Sequence, residues 1–242
     1  MQKVPNPMIG AFILSVGQET EKQAVNSIKI QDVPCITIVD VEPVNRAINV
    51  CFELAEDYGW EYFLIMGADT IHYENSLAIM WHYMKKGNWC VYGRLDDYYR
   101  GNDNYGNHLY NLKALKGYRV DEKDPLYDHK IHADMDKMGF TKTITKEVIG
   151  VHHPIWTPKE AFCKHYFSAM RYDYKYRDKY FWQVLDKFQY ESHPVNEAAV
   201  LGWQEGAKAK EKTLLTKETP KAWDKYKHKF NNKDKLEWKN LK

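Results

Sequence analysis

Residues 44–69 read VNRAINVCFELAEDYGWEYFLIMGAD, and this stretch decides the fold. Its first part predicts an amphipathic helix, because apolar residues recur there every three or four positions. These residues are Ala47, Ile48, Cys51, Leu54, Ala55 and Tyr58. The short run at 62–66 is apolar throughout, which is typical of a strand buried on both faces. Gly67-Ala68-Asp69 ends that run, so the stretch predicts a helix followed by a buried strand.

The same alternation continues on both sides of this stretch. Apolar runs at 8–16 and 35–39 predict two earlier strands, and the run at 89–92 predicts a later one. A Thr-Glu-Lys-Gln capping-box pattern at 20–23 begins a helix after the first strand, and helical spacing over 77–84 predicts another. Four strands alternating with three helices predict a parallel sheet of right-handed βαβ units with helices on both faces.

Polar or flexible residues follow three of these strands. In a sheet of this kind, ligands bind beyond the carboxyl ends of the strands. Those ends are Gly17, Asp40 and Asp69. The first strand is not followed by G-x-G-x-x-G, and no Gly-Lys-Ser/Thr loop is present, which argues against dinucleotide oxidoreductases and P-loop enzymes. A nucleotide bound here would instead be held by single carboxylates at the strand ends.

The middle of the chain is less regular. Between residues 94 and 142, Asp, Asn, Gly and Tyr cluster with weak periodicity, which predicts long loops with one short helix. The β-branched run at 145–151 then predicts another strand, followed directly by His152 and His153. The sequence thus predicts an α/β fold with a mostly parallel, Rossmann-like sheet flanked by helices.

A helical, Lys-rich extension ends the predicted fold. Thr157-Pro158-Lys159-Glu160 combines a capping box with Pro at the first helical position, and helical patterns follow at 181–188 and 195–211. Twelve lysines and five acidic residues lie between 208 and 242. Two interpretations of this charge stay open, a solvated face of a terminal helix and a surface that contacts an anionic partner.

Length and composition fit one ordinary domain with appendages, since the chain has 242 residues of which 44% are hydrophobic. The four cysteines are widely spaced without a C-x-x-C pair, which is typical of reduced core residues. The apolar run near the N-terminus is too short for a membrane span and lacks a cleavage site. We therefore expect a cytoplasmic protein without a membrane span, in the host cytoplasm if it is viral.

Three segments carry a resemblance to a known family. They are SVGQETEKQAVNSIKIQ (15–31), ITIVD (36–40) and the stretch 44–69. Roughly the first 95 residues resemble the nucleotide-binding half of family-2-like GT-A glycosyltransferases. The resemblance implies a GT-A-like fold and sugar transfer from a nucleotide-sugar donor, a UDP-sugar, to an acceptor hydroxyl. It also implies three regions: a nucleotide-sugar-binding half at 1–95, an acceptor and catalytic half at 96–175, and the helical extension at 176–242.

The resemblance also implies a metal site. In that family an acidic D-x-D follows the strand after the second helix, and Asp69 matches its last acid, whereas Gly67 stands in place of the first. Asp69 would then hold Mn²⁺ or Mg²⁺, which neutralises the leaving diphosphate. A late histidine supplies a further ligand in some resembling enzymes, which implicates His153 or His152. Because successive strand residues point to opposite faces, we expect at most one of the two to face the cleft.

Simpler roles stay open for these three residues. Asp69 can be a turn or N-cap acid before the third helix. His152 and His153 can be bonded to the backbone near the Thr157 cap.

Donor contacts are expected at the strand ends and on arginines. The resemblance implies that the end of the first strand and its turn line the base, and that an Asp ending the second strand contacts the base or ribose. Arginine forks pair well with diphosphate oxygens. The candidate donor-binding residues are Ser15, Gly17, Asp40, Arg46 and Arg94.

An inverting enzyme also needs a carboxylate base for the acceptor hydroxyl. The resemblance places that base between the D-x-D and the last core strand, which favours Asp134 and Asp136 in HADMDKMG (132–139). Further acids in this region are Asp96, Asp97 and Asp128. Further candidate ligand contacts are Arg100, Tyr98, Tyr99 and Tyr105. Each acid can equally be a solvated loop residue.

Several functions remain open at this level. The acceptor can be a glycan or a hydroxylated base in DNA, the substrate of small glycosyltransferases of bacterial viruses, with the Lys-rich region on the phosphates. A non-catalytic nucleotide- or glycan-binding protein of the same fold is one alternative. A sugar nucleotidyltransferase is another, although the turn Gly17-Gln18-Glu19-Thr20 lacks the Lys or Arg expected there.

Overall fold

The computed structural model describes residues 9–84, 87–124, 127–171, 174–209, 219–231 and 233–238. The chain forms two compact units. The first comprises Met1–Asp97 with Gly101–His153, and the second comprises Tyr98–Arg100 with Pro154–Lys242. The units therefore divide at His153–Pro154, whereas the predicted functional regions divide near residues 95 and 175. Those functional regions stay a prediction.

The first unit alternates strands and helices along its whole length. Its elements are β1 (Ile9–Ser15), α1 (Glu21–Lys29), β2 (Cys35–Val39), α2 (Val44–Asp57), β3 (Tyr62–Gly67), β4 (Thr70–His72), α3 (Ser76–Met84), β5 (Cys90–Asp97), β6 (Gly101–Asn111), α4 (Leu112–Leu115), α5 (Tyr127–Lys137) and β7 (Lys142–His152). The seven strands form one sheet in the order β2-β1-β3-β6-β5-β7-β4. The predicted elements of the first ninety residues are confirmed within one or two residues, except that β4 is additional and the strand predicted at 89–92 extends to Asp97.

Strand directions confirm the predicted GT-A-like architecture. β1 pairs in parallel with β2 and β3, and β5 pairs in parallel with β7. β6 is antiparallel to both β3 and β5, so β3 and β5 run in the same direction. Five strands therefore end at the same edge of the sheet, which is the edge where such folds bind ligands.

The expectation of long loops between residues 94 and 142 is wrong. This region contains the end of β5, the eleven-residue β6 and the helices α4 and α5. The sequence of β6 lacks the alternation of apolar and polar residues that predicts a strand, because two of its buried residues are polar. Both have hydrogen-bond partners on other side chains. Asn104 donates to Asp97, and Asn107 lies 2.6 Å from the ring of His72. Polar side chains that are hydrogen-bonded can be buried at a small cost in free energy. In the sequence, however, they interrupt the alternation of apolar residues from which a strand is predicted.

Alternate residues of the strands fill two cores, one on each face of the sheet. Phe12, Phe63 and Trp89 pack with α2 and α5 on one face. Ile13 and Leu64, the next residues along their strands, pack with α1 and α3 on the other face. Burial on both faces is the reason the parallel strands read as continuous apolar runs.

The capping box predicted at Thr20 does not form. The Thr20 side chain makes no bond to the start of α1, and its hydroxyl instead donates to the carbonyl oxygen of Ala68 at 2.7 Å. The hydroxyl is therefore used to join the start of α1 to the segment that follows β3.

The second unit is mainly helical. Its elements are β8 (Ile155–Trp156), α6 (Pro158–Arg171), α7 (Tyr174–Tyr190), α8 (Pro194–Lys208), two short 3₁₀ turns (Lys221–Lys225 and Lys227–Lys229) and β9 (Leu236–Glu237). The capping box of α6 is confirmed, since Glu160 accepts from the Thr157 amide at 2.9 Å and the Thr157 hydroxyl accepts from the Glu160 amide at 3.2 Å. A β-carbon at Gly202 or Gly206 would overlap backbone of α6, so these glycines permit close contact between α6 and α8.

Among the described residues, no helix combines the length and the apolar character needed to cross a membrane. All four cysteines are free, and Cys51 and Cys90 are fully buried.

Candidate metal centre and donor site

Main-chain hydrogen bonds tie the strand ends together at the ligand-binding edge. The Asp40 amide donates to the Ser15 carbonyl at 3.0 Å, and the Ala68 amide donates to the Leu14 carbonyl at 2.9 Å. The His153 amide donates to the Asp69 carbonyl at 2.7 Å. These bonds link the ends of β1 and β2, of β1 and β3, and of β3 and β7, so side chains from distant segments share one edge.

Three predicted metal ligands converge there. The Asp69 Oδ2 atom lies 2.8 Å from His153 Nε2 and 3.5 Å from His152 Nε2. One ligand atom from each of the three residues falls within 4.8 Å of the other two. Their side chains are 12–17% exposed, so the cluster is sheltered and still open to solvent. Within the described residues this is the one group of three or more such side chains with that spacing.

The expectation that at most one histidine faces the site is wrong. It assumes strand geometry through both positions, but β7 ends at His152 and His153 has a φ of +48°. This left-handed conformation is uncommon outside glycine and turns the chain out of the strand. The alternation of strand side chains therefore stops between the two residues, and both imidazoles contact the same carboxylate.

Gly67 leaves the space that the Asp69 carboxylate occupies. A β-carbon built at Gly67 would lie closer to Asp69 Oδ1 than the 3.0 Å that real contacts respect. At the position where the family resemblance implies the first acid of a D-x-D, the glycine thus provides no carboxylate and makes room for that of Asp69.

The two histidines lower the pKa of the Asp69 carboxyl group. Burial acts to raise the pKa of its carboxyl group, but the charges and hydrogen bonds of His153 and His152 outweigh burial. The pKa of Asp69 therefore lies well below its ordinary value of 3.8. An ionised carboxylate is the form that binds a divalent cation.

One side chain that contacts this cluster, that of Asp97, is not distinguished by the sequence pattern. Asp97 ends β5 directly opposite His152 of β7, and its Oδ2 atom lies 2.5 Å from His152 Nδ1. Asn104 donates to the same Asp97 oxygen at 3.0 Å. The sequence treats Asp97 as one loop acid among several, because the strand that carries it is predicted to end five residues earlier. From Gly93 to Asp97, buried and half-buried residues alternate along β5, and this alternation places Asp97 on the same side of the strand as Leu95.

The structure places three candidate donor residues at the ends of β1 and β2. Ser15 is buried, and its hydroxyl donates to Gln18 at 3.1 Å and to Glu21. Gly17 has a φ of +85°, and its amide donates to the Ser15 hydroxyl. Asp40 is exposed with a φ of +54°. Ser15 therefore orders the turn through internal bonds, whereas Gly17 and Asp40 are accessible.

The two candidate arginines differ in their surroundings. Arg46 is exposed in the first turn of α2. Arg94 lies on β5, half-buried, with its guanidinium carbon 5.8 Å from the centre of the Tyr105 ring. The Arg94 Nε atom is buried and has no hydrogen-bond partner among the described residues. Arg94 thus keeps donor capacity, three residues before Asp97.

The structure does not bring Asp134 or Asp136 to this site. Both lie on α5, where Asp134 accepts from the Tyr118 hydroxyl at 3.0 Å and Asp136 pairs with Lys142 at 2.7 Å. Lys142 begins β7, and His152 ends that strand ten residues later. The paired strand β5 covers the same span from Cys90 to Asp97, so at about 3.3 Å per residue the separation is roughly 20–25 Å. The two predicted base residues therefore lie near the opposite edge of the sheet.

The remaining candidates have other surroundings. Tyr98 and Tyr99 are buried in the core of the second unit, so the structure contradicts their prediction as ligand contacts. Arg100 packs over the ring of Tyr180 at 4.1 Å. Asp96 is half-buried on β5, and the side chain of Asp128 lies outside the described part of the chain.

The ligand atoms of Asp69, His152 and His153 fit a divalent cation. It offers one carboxylate and two imidazoles from a sheltered position, and a cation with open coordination positions could also bind diphosphate oxygens.

Comparisons with known proteins add little to this picture. No known protein family and no curated protein sequence matches the chain. Among solved structures, the chain is similar to S. aureus TarS, with 10% identity, a TM-score of 0.48, and coverage of 67% of this chain and 39% of that one. It is also similar to a glycosyltransferase involved in the glycosylation of the major capsid of PBCV-1, with 12% identity, a TM-score of 0.43, and coverage of 60% and 92%.

A third similar structure belongs to a different class. It is 4-diphosphocytidyl-2C-methyl-D-erythritol synthase from Anaerococcus prevotii, with 7% identity, a TM-score of 0.40, and coverage of 57% of this chain and 88% of that one. None of these three likenesses reaches a TM-score of 0.5. The activity is therefore inferred from the site itself.

Proposed function

We propose that this protein is a glycosyltransferase that moves a sugar from a nucleotide-sugar donor to an acceptor hydroxyl, with a divalent cation held by Asp69, His152 and His153. The observation that carries the proposal is the meeting of these three side chains at the edge where five strands end in the same direction. That edge is where an open α/β sheet binds nucleotides.

The residues around the cluster suggest how the donor lies. Gly17 and Asp40 are accessible at the ends of the first two strands and would contact the nucleoside, with uridine as the predicted base. The Arg94 Nε atom lacks a partner among the described residues, and a diphosphate oxygen would supply one. A cation at Asp69 would neutralise the diphosphate as the bond to the sugar breaks.

Two acceptor classes are compatible with this chemistry, a glycan hydroxyl and the hydroxyl of a modified base in DNA. We favour the glycan, because several lysines of the basic C-terminal region take part in ion pairs within the chain. Lys208 and Lys225 both pair with Glu205, and Lys227 pairs with Asp224. Transfer to DNA would instead depend on lysine–phosphate contacts and would fall steeply with salt.

The test of the proposal is a donor screen. The purified full chain is incubated with Mn²⁺ or Mg²⁺ and a panel of nucleotide sugars, and release of nucleoside diphosphate is measured. Asp69→Asn removes the charge of the central ligand with almost no change in shape, and we expect it to abolish release. Asp57→Asn is the matched control, since Asp57 is exposed at the end of α2.

The outcomes of the screen separate the candidate functions. Release of UDP from one sugar donor, lost only in Asp69→Asn, would support the proposal and identify the sugar. Binding of UDP by thermal shift without release from any donor, with glycan and hydroxymethylated DNA both supplied as acceptors, would favour a binding protein of the same fold. Formation of a nucleotide sugar from a sugar phosphate and a nucleoside triphosphate would favour a nucleotidyltransferase.

A further inference from the structure

His152 is held from both sides, and the proposed metal centre uses only one of them. Its Nε2 atom faces Asp69 at 3.5 Å, while its Nδ1 atom lies 2.5 Å from the Asp97 carboxylate. Asp97 is 5% exposed and is separated from Asp69 by the imidazole ring, so it is placed to act on the ligand rather than on the ion.

We propose that Asp97 is a positioning residue that fixes His152 as a nitrogen ligand, and that the resulting donor set selects a first-row transition ion over Mg²⁺. This inference rests on the proposed cation site at Asp69, His152 and His153. It concerns the kind of ion that the site accepts and the residue that makes the site selective.

The hydrogen bond to Asp97 decides which ring nitrogen is available. A neutral imidazole carries its proton on one nitrogen and binds a metal through the other. An ionised carboxylate can only accept, so the Nδ1 atom 2.5 Å from Asp97 is the one that carries the proton, and the Asn104 Nδ2 atom, 2.8 Å from the same Nδ1, donates to Asp97. In the neutral ring the lone pair then lies on Nε2, which faces Asp69. Carboxylates that orient metal-binding histidines in this way act by fixing the tautomer and the ring orientation.

Asn104 keeps Asp97 in place. Its Nδ2 atom donates to the same oxygen that accepts from His152, and Asn104 is itself 6% exposed. Because Asp97 and Asn104 are nearly excluded from water, their mutual bonds replace hydration and limit other orientations of the carboxylate. The ring of His152 is thereby held before any ion arrives.

The types of ligand atom then determine which metal ion binds most tightly. Mg²⁺ prefers oxygen ligands in a strict octahedron and usually keeps several waters, whereas imidazole nitrogen suits first-row transition ions. Gly67 contributes no second carboxylate, so the site offers two nitrogens and one side-chain carboxylate. We therefore expect Mn²⁺ and Co²⁺ to bind more tightly than Mg²⁺.

The test measures metal binding by the full chain without donor or acceptor. Free Mn²⁺ is followed by its EPR signal, and Co²⁺ binding by its visible d–d absorption. In Asp97→Ala we expect a loss of Mn²⁺ affinity of about 10- to 100-fold, which is the usual effect of removing such a partner, together with an altered Co²⁺ spectrum. Asp97→Asn keeps an acceptor oxygen for Nδ1–H and should restore much of the affinity. Asp57→Ala is the control for loss of an acidic side chain.

Selectivity is measured by competition with Mg²⁺ against bound Mn²⁺. We expect a tenfold excess of Mg²⁺ to leave Mn²⁺ bound in the unchanged protein. If Asp97→Ala binds Mn²⁺ as tightly as the unchanged protein, or if Mg²⁺ displaces Mn²⁺ at equal concentration, the inference is overturned while the proposed cation site stands. If the unchanged protein binds none of these ions, the cation site itself is overturned.

Discussion

Replacing Gly67 with alanine should damage the candidate metal centre without unfolding the protein. The added β-carbon would lie less than 3.0 Å from Asp69 Oδ1, and ordinary contacts begin at 3.4 Å, so the carboxylate must move by more than 0.4 Å. Metal–ligand distances tolerate changes of about 0.2 Å. The shift therefore exceeds twice the tolerance, and we expect Mn²⁺ affinity to fall by about 10- to 100-fold, or about 1.4 to 2.7 kcal/mol.

The assay is an EPR titration of Mn²⁺ together with thermal unfolding of the metal-free protein. Gly106→Ala is the matched control, because a β-carbon there meets its nearest neighbour, Asn104 Oδ1, at 3.4 Å. We expect both variants to unfold near the temperature of the unchanged protein, since the atom that must move at Gly67 is the end of a side chain. Unchanged Mn²⁺ affinity in Gly67→Ala would refute the assignment of Asp69 as a ligand in this orientation.

Three further predictions concern other parts of the chain. Arg94→Ala should weaken UDP binding by about tenfold in calorimetric titration, the usual size of a lost charge-assisted hydrogen bond; unchanged affinity would remove Arg94 from the donor site. Gly206→Ala places a β-carbon against the Tyr166 carbonyl and should lower the free energy of unfolding by about 1–3 kcal/mol in urea titration. The pKa of Glu205 is lowered from 4.5 to about 2, chiefly by its hydrogen bond from Lys208. The ionised carboxylate therefore stabilises the folded protein fully above pH 4.5, and this stabilisation disappears as the pH falls toward 2. Glu205→Gln should therefore cost on the order of 1 kcal/mol at pH 7 and almost nothing near pH 2, as measured by urea unfolding at several pH values.

The first ninety residues were predictable because their strands are buried on both faces and their helices on one. Hydrophobic periodicity carries this information directly, which is why β1, β2, α2 and β3 lie where the sequence predicts them. β6 was not predictable in this way. Its buried asparagines are satisfied by Asp97 and His72, partners that are distant in sequence or on another strand, and a local pattern holds no trace of them.

The candidate site was likewise predictable only in part. Asp69 could be identified from its place after a strand, and the histidine pair from its place after another strand. Their meeting depends on the pairing of β4, which follows Asp69 directly, with β7 and on the left-handed backbone at His153, neither of which periodicity reveals. The resemblance favours Asp134 and Asp136 by their place between the D-x-D position and the last core strand, but the fold carries their helix to the other edge of the sheet.

The main-chain bonds that join the strand ends have a consequence for how such a site can evolve. Every residue except proline carries both the amide and the carbonyl group that make these bonds. The backbone arrangement at this edge of the sheet therefore does not depend on which side chains lie there. Mutation can therefore exchange one ligand for another while the frame persists. In this chain a glycine stands where the resemblance implies a carboxylate, and two histidines at the end of a strand far along the sequence contact Asp69. Substitution of this kind lets one architecture explore different metal chemistries without first losing its fold.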